Sequence, residues 1–311
     1  VVAQDATGRP SLLEETMHRM PQVTLALTLC LGLTACREAP TPVAALRVAP
    51  SHIVLGFPHD ETLTIELDMR ETLPAGVTPW VMVHLVDHEG ALVRTFDHPL
   101  PGAWTPGESV SDTVVLYQSA LAAPLAAGRY QLSLGLYDPA GGRWPLETDG
   151  TEIHANEYAL ATVEAAEGSD SAPKVFFSPT WMATEPGTDI QVLGRRWLRS
   201  EGAIRFSDLT VPGRARLALR IAPPDPQLED MVLDEGFEEA QLHVASSCGD
   251  ETWTLNGIGT HVVEAPLGPT AEGEDCEISL TPHFKIVTRR NLNSRVLALD
   301  VLSWRALAPA S

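Results

Sequence analysis

The sequence predicts an all-β protein, two β-sandwich domains behind a removable export signal, and three observations carry that prediction. From residue 44 onward apolar and polar residues alternate with period 2, the spacing that puts one strand face on a core and the other in water. Turn residues punctuate the pattern at short intervals, with 23 glycines and 25 prolines in 311 residues. A chain of this length has room for about two domains of roughly 150 residues each. Its composition, 44% hydrophobic and 20% charged, is that of a globular chain rather than a disordered one.

Residues 1–16 carry Asp5, Glu14 and Glu15, which do not suit the positive start of an export signal, so they read as an over-extended gene start with Met17 or Met20 the true beginning. Residues 17–35 have signal-peptide anatomy: Arg19, an apolar stretch over 23–33, then small residues before Cys36. That stretch is too short to cross a bilayer as a mature anchor. The run Leu33-Thr34-Ala35-Cys36 resembles the lipobox of bacterial lipoproteins, in which an apolar residue and two small ones precede the cysteine. The resemblance implies cleavage before Cys36 and covalent diacylglycerol on its sulfur, against the alternatives of a plain secretory signal or a buried hydrophobic segment. Acyl chains hold a protein on a membrane at about 0.8 kcal/mol per buried methylene. Arg37 stands where enterobacterial lipoproteins retained at the inner membrane carry Asp, which points to the outer membrane, on its periplasmic or its surface-exposed face. Residues 36–43, containing Pro40 and Pro42, are expected to form a short extended tether.

The first sandwich is expected over 44–164, with about seven strands. Leu63-Thr-Ile-Glu-Leu-Asp-Met69 alternates strictly, and residues 80–86 are apolar on both faces and read as a central strand. Asp87-His-Glu-Gly90 turns into a strand over 91–96. Residues 110–117 form another, and Tyr130, Leu132, Leu134 and Leu136 point inward ahead of the Asp138-Pro-Ala-Gly-Gly142 loop. Residues 158–163 close the set. The motifs Val83-His-Leu-Val-Asp-His-Glu-Gly90, Trp104-Thr-Pro-Gly-Glu108, Gly128-Arg-Tyr130 and Gly135-Leu-Tyr-Asp-Pro139 resemble a β-sandwich module found outside the membrane in bacterial surface and membrane proteins. This likeness covers about residues 80–146 and implies an Ig-like fold, not an activity.

Residues 165–174 are small, polar and proline-bearing, and read as a linker. A second sandwich, jelly-roll-like, is expected over 175–308, with strands at 214–221, 241–245, 276–280 and 294–304. An acidic insertion occupies 225–239. Glu185, Arg196-Trp197, Ile204-Arg-Phe206 and Ser294-Arg-Val-Leu-Ala-Leu-Asp-Val301 are loosely similar to all-β modules that accompany bacterial carbohydrate-active proteins, which implies glycan binding.

The 41 acidic residues outweigh 21 basic ones, giving a net charge of −20, and lack the basic stripe that displaces counterions from nucleic acid. With Cys30 in the removed segment and Cys36 lipidated, Cys248 and Cys276 remain as an even pair in an oxidising compartment. They are expected to form a disulfide; the alternative is two free buried thiols. Trp104, Trp144 and Trp253 lie beside turns and are candidates for stacking on the apolar face of a sugar, unless they fill or edge the sandwich cores. Trp80, Trp197 and Trp304 sit within strand patterns and are expected in the cores. His84 shares a strand face with Met82 and Val86 and reads as a satisfied core histidine. Acidic clusters at 147–152, 225–239 and 272–277 offer hard oxygen ligands of the kind Ca²⁺ takes, but none has EF-hand spacing, so they read as solvated surface.

No nucleophile elbow, phosphate loop or His-Glu-x-x-His metal motif occurs, and His88-Glu89 meets Leu92 where the second histidine would fall. No catalytic or metal-ligating residues are nominated. The expected function is that of a non-enzymatic, lipid-anchored envelope protein that binds or assembles. It is either an accessory subunit of a surface or outer-membrane complex or a glycan-binding module. The alternative is a glycan-active hydrolase whose carboxylate pair only a three-dimensional arrangement would reveal.

Overall fold

The structure is a computed structural model that describes residues 40–166, 173–187, 192–221, 231–233, 240–271, 274–283, 286–288 and 297–307. These residues are built from strands, and no helix occurs among them. Cys36 and the rest of the export signal lie outside the described residues, as does most of the 225–239 acidic insertion.

The first sandwich contains β1 (Ala44–Ala49), β2 (His52–Gly56), β3 (Asp60–Met69), β4 (Trp80–Val86), β5 (Leu92–Thr95) and β6 (His98–Pro99). It continues with β7 (Ser109–Tyr117), β8 (Gly128–Tyr137), β9 (Arg143–Trp144), β10 (Leu146–Glu147), β11 (Thr151–His154) and β12 (Glu157–Ala166). One sheet has the order β10-β1-β3-β7. The other runs β11-β12-β8-β4-β5, with β2 added beside β12, β6 beside β4 and β9 beside β8. The alternation in β3 acts as its chemistry dictates: Leu63, Ile65 and Leu67 are fully buried and meet Val81, Val83 and Leu85 of β4 and Leu132, Leu134 and Leu136 of β8. Each such burial stabilises the fold by about 1.5–3 kcal/mol. The opposite face of β3 carries Asp68, paired with Arg47 at 2.6 Å in water.

Twelve strands, not about seven, make this sandwich. The unforeseen ones are short or lie at margins: β1 and β2 flank Pro50, and β6, β9 and β10 have two residues each, too few for a period to register.

The second sandwich contains β13 (Lys174–Phe177), β14 (Glu185–Pro186), β15 (Gly194–Leu198), β16 (Gly202–Ser207), β17 (Gly213–Ile221) and β18 (Met231–Leu233). It ends with β19 (Gln241–Ser246), β20 (Glu251–Asn256), β21 (Gly259–Leu267), β22 (Cys276–His283), β23 (Ile286–Thr288) and β24 (Leu297–Ala306). Its sheets run β13-β16-β22-β19-β20 and β14-β15-β24-β17-β21, and β18 pairs with β23. Ala215, Leu217, Leu219 and Ile221 of β17 all face its core, alongside Phe206, Leu242 and Ile278. Cys248 and Cys276 are joined by a disulfide with Cα atoms 5.5 Å apart, tying the end of β19 to the start of β22.

The two sandwiches meet where residues 58–62 and 119–121 of the first reach residues 302–305 of the second. The chain after β7 reaches across, so that Leu121 belongs to the second core while the Ala120 N–H donates to the Leu302 carbonyl at 2.7 Å. Ser303 Oγ donates to Asp60 at 3.0 Å, Arg305 to Thr62 at 3.2 Å, and the Trp304 N–H to the Pro58 carbonyl at 3.3 Å. Residues 297–304 are buried on both faces: one covers the core, and on the other Ala298 packs with Trp197 and Met182, Asp300 is held by Arg195 and Arg220, and Ser303 meets Asp60 of the first sandwich.

Candidate functional site

Among the described residues, two strands at sheet margins and one sheet face line a cleft of about 470 Å³. β5 and β7 are the last strands of their respective sheets, and both lie on the same side of the first sandwich. Residues 95–98, following β5, and 113–117 of β7 form one wall. The outer face of β17, β21 and β24, with Arg216, Ala218, Thr260 and Asp300, forms the other. His98 joins the two edges: Nε2 contacts Asp112 Oδ2 at 2.6 Å and Nδ1 donates to the Phe96 carbonyl at 2.8 Å. Against the desolvation of its ring, those two partners raise the His98 pKa. Asp112 also takes the Thr113 N–H at 2.7 Å, which caps one backbone donor of an edge strand whose only paired neighbour among the described strands is β3.

The opposite wall is held by ion pairs. Between Ala218 opposite Val301 and Leu219 opposite Leu299, Asp300 is an extra residue, a β-bulge that turns its carboxylate to the outer face. Arg195 and Arg220 both grip it, the latter at 2.9 Å. Their guanidiniums lie 5.7 and 5.6 Å from the Trp197 ring centroid, within cation–π range, and the indole N–H donates to Glu185 at 3.0 Å. Arg216 pairs with Glu264 at 3.0 Å, and Glu264 with Arg305 at 3.2 Å, which continues the network to the interface. Because these groups already satisfy one another, the wall keeps its shape. It presents the Asp300 carboxylate and the Thr260 hydroxyl, and across the cleft the first sandwich presents Thr95, Thr113 and the Phe96 and Tyr117 rings, themselves edge to face at 5.3 Å.

Behind the cleft, Asp97 joins a second polar cluster. His84 contacts Glu157 at 3.0 Å and Asp97 at 3.4 Å; Ser133 and Arg143 add bonds to Glu157 at 2.7 and 3.0 Å. Desolvation opposes the charged ring, but hydrogen bonds to Asp97 and Glu157 and their charges raise His84 to about 9. Glu157 is lowered to about 2: burial pushes it up, and the bonds from His84 and Ser133 outweigh that. Tyr137 is pushed to about 12 by burial and by the neighbouring Asp97. His84 is therefore satisfied, as expected, but as one member of a charged network on the side of its sheet away from the core.

The three candidate stacking tryptophans are divided between the two sandwiches. Trp104 and Trp144 are half-buried against the first core, and Trp253 against the second. The Trp104 indole N–H is fixed to the Glu71 carbonyl at 2.8 Å, beside a separate 300 Å³ groove. One expectation for the core tryptophans is corrected: Trp80 is half-buried and packs on Tyr137. Trp197 is buried, but in a small cluster with Ala298 and Met182 apart from the main core; strand alternation told which residues share a face, not which face is inward. Trp304 is buried in the second core. Of the acidic clusters, Glu147 pairs with Arg70, Glu152 accepts the Asn156 N–H, and Glu277 pairs with Arg205 at 2.9 Å. Among the described residues no group of three or more His, Cys, Asp or Glu is gathered to hold a metal ion.

Sequence reasoning missed Asp97, Glu157, Arg195, Arg220 and Asp300. One signal was present for Asp300: a lone acid inside the apolar run of residues 297–302 requires a counter-charge if that run is buried. Compared with known proteins, the chain matches no protein-family model and no curated protein.

Proposed function

We propose that this chain is a non-enzymatic, lipid-anchored protein of the cell envelope, held at the outer membrane by diacylglycerol on Cys36. It acts by assembly, as an accessory subunit whose interdomain cleft receives an extended segment of another envelope protein. The observation that carries the reading is the juxtaposition of β7, whose one paired neighbour among the described strands is β3, with the ion-paired face of β17, β21 and β24 across 470 Å³. An exposed strand edge supplies main-chain hydrogen bonds to an added strand, and the facing wall selects its side chains. A glycan is the second reading, favoured by the carboxylates, hydroxyls and aromatic rings that share the lining.

Photo-cross-linking side chains placed at Thr113, Thr260 and, as a control, Thr252 test the proposal in the native membrane. All three residues are exposed, and Thr252 lies on an edge strand of the other sheet of the second sandwich. Discrete protein adducts from the two cleft positions, absent at Thr252, are expected. Adducts at none of them, with oligosaccharides from a glycan array binding in competition with cleft substitutions, would replace assembly by glycan recognition. Turnover of such a glycan, lost on changing one carboxylate, would replace both by an enzyme.

A further inference from the structure

The end of the first sandwich opposite its partner has its own chemistry. There Val43 leads into β1: its N–H donates to the Pro145 carbonyl, and its carbonyl accepts the N–H groups of Arg70 and Glu71. The loops at 72–79 and 99–107 converge on the same end, since the Gly107 N–H donates to the Met69 carbonyl and the Trp104 indole N–H to that of Glu71. In a chain with 41 acidic and 21 basic residues, these two loops contain no Asp, Glu, Lys or Arg. Leu73, Pro74, Val77, Pro79 and Trp104 line the groove of about 300 Å³ between them, and Ala75, Pro101, Ala103 and Pro106 are exposed around it. Arg70, Glu71, Glu108 and Asp138 stand at the margin. The second sandwich docks at the other end, through residues 58–62 and 119–121, and none of these contacts reaches the loops 72–79 and 99–107.

Tether length and charge identify what covers it. Val43 lies seven positions after Cys36, so even a fully extended tether spans at most about 25 Å. Without residues 1–35, which carry three acidic and two basic side chains, the net charge is −19; such a body is repelled by anionic lipid, and a charge-free end is the part that can approach closely. Tryptophan is the side chain most at home there, with an apolar body and a polar N–H at headgroup depth. We propose that the loops 72–79 and 99–107 rest on the bilayer to which Cys36 is attached, with Trp104 at the headgroup level. This orients the cleft and the second sandwich away from the membrane. The inference rests on the lipidation of Cys36.

The test uses the full-length protein extracted from its own membrane and reconstituted into phosphatidylcholine vesicles with or without bromine on the upper acyl chain. Bromine is expected to quench part of the tryptophan emission. That quenching should fall at least two-fold in Trp104→Phe and in Ala103→Asp, which places a charge at an exposed position, and should persist in Trp253→Phe. Circular dichroism on each variant reports that the sandwiches remain folded. Equal quenching in the wild type and Trp104→Phe, or none at all, in protein that still floats with vesicles, overturns the docking and leaves lipidation standing. Protein that neither floats nor carries the mass of diacylglycerol on Cys36 overturns both.

Discussion

His84 shows what one side chain can bring together. It lies on β4, Ser133 on β8 and Glu157 on β12, while Asp97 follows β5, so four segments share one charge system. A histidine raised to about 9 stabilises the fold fully below its unfolded value near 6.5, and that contribution is lost as pH climbs through about 9. Glu157, lowered to about 2, contributes above its unfolded value near 4.5 and loses that contribution as pH falls toward 2. The cluster is therefore expected to stabilise most between about pH 4.5 and 6.5. His84→Gln, which leaves Glu157 and Asp97 without their cation, should cost about 2–4 kcal/mol at pH 6 and much less at pH 9.5, read by urea denaturation at each pH. An unchanged difference across that range would exclude a charged histidine. At this scale the sequence announced little. A histidine on a strand face was legible, but its partners lie 13 and 73 residues away, and only sheet order makes them neighbours.

Strands were far more legible, because their signal is repeated. Leu63, Ile65 and Leu67, or Ala215, Leu217, Leu219 and Ile221, each cast several votes for one face, and the structure buries all of them. The pattern failed where a strand is very short or where both faces are covered. In β24 the outer face is covered in turn by Trp197, by the two arginines on Asp300 and by Asp60 of the other sandwich, and the Asp300 bulge shifts the alternation by one residue. The disulfide belongs to this scale too, since it fastens β19 to β22 at a point where strand pairing is ending. Closing a 28-residue separation should contribute about 3–4 kcal/mol in the chain-entropy model, so Cys248→Ser with Cys276→Ser should lower stability by that amount in guanidinium denaturation. Reductant should lower the wild type to the level of the variant and leave the variant unmoved.

For the molecule as a whole, the all-β class was legible from periodicity and turn spacing, but the way the sandwiches join was not. Asp60, Ser119, Ser303 and Arg305 look like ordinary surface residues in sequence, yet Asp60, Ser119 and Ser303 are buried where the two bodies meet. The cleft was illegible for the same reason, being a product of that junction. If the junction holds by itself, cutting the connection should not separate the halves. With a site-specific protease sequence inserted between Gly168 and Ser169, the cleaved protein is expected to elute as one species in gel filtration. With Asp60→Ala and Arg305→Ala added, two species are expected. Separation of the halves without those substitutions would mean that the covalent link alone keeps them together.

One strand runs the length of that arrangement. β3 begins at Asp60, which bonds to Ser303 of the second sandwich, and ends with its tenth residue, Met69, opposite Ala44 where the amino-terminal segment arrives. A pull between the amino-terminal segment and the distal body is therefore directed along about 33 Å of strand. It meets the β1–β3 ladder lengthwise, so that its hydrogen bonds resist in parallel instead of parting one after another. The first sandwich is in this sense a mechanical strut, built to transmit force without unzipping.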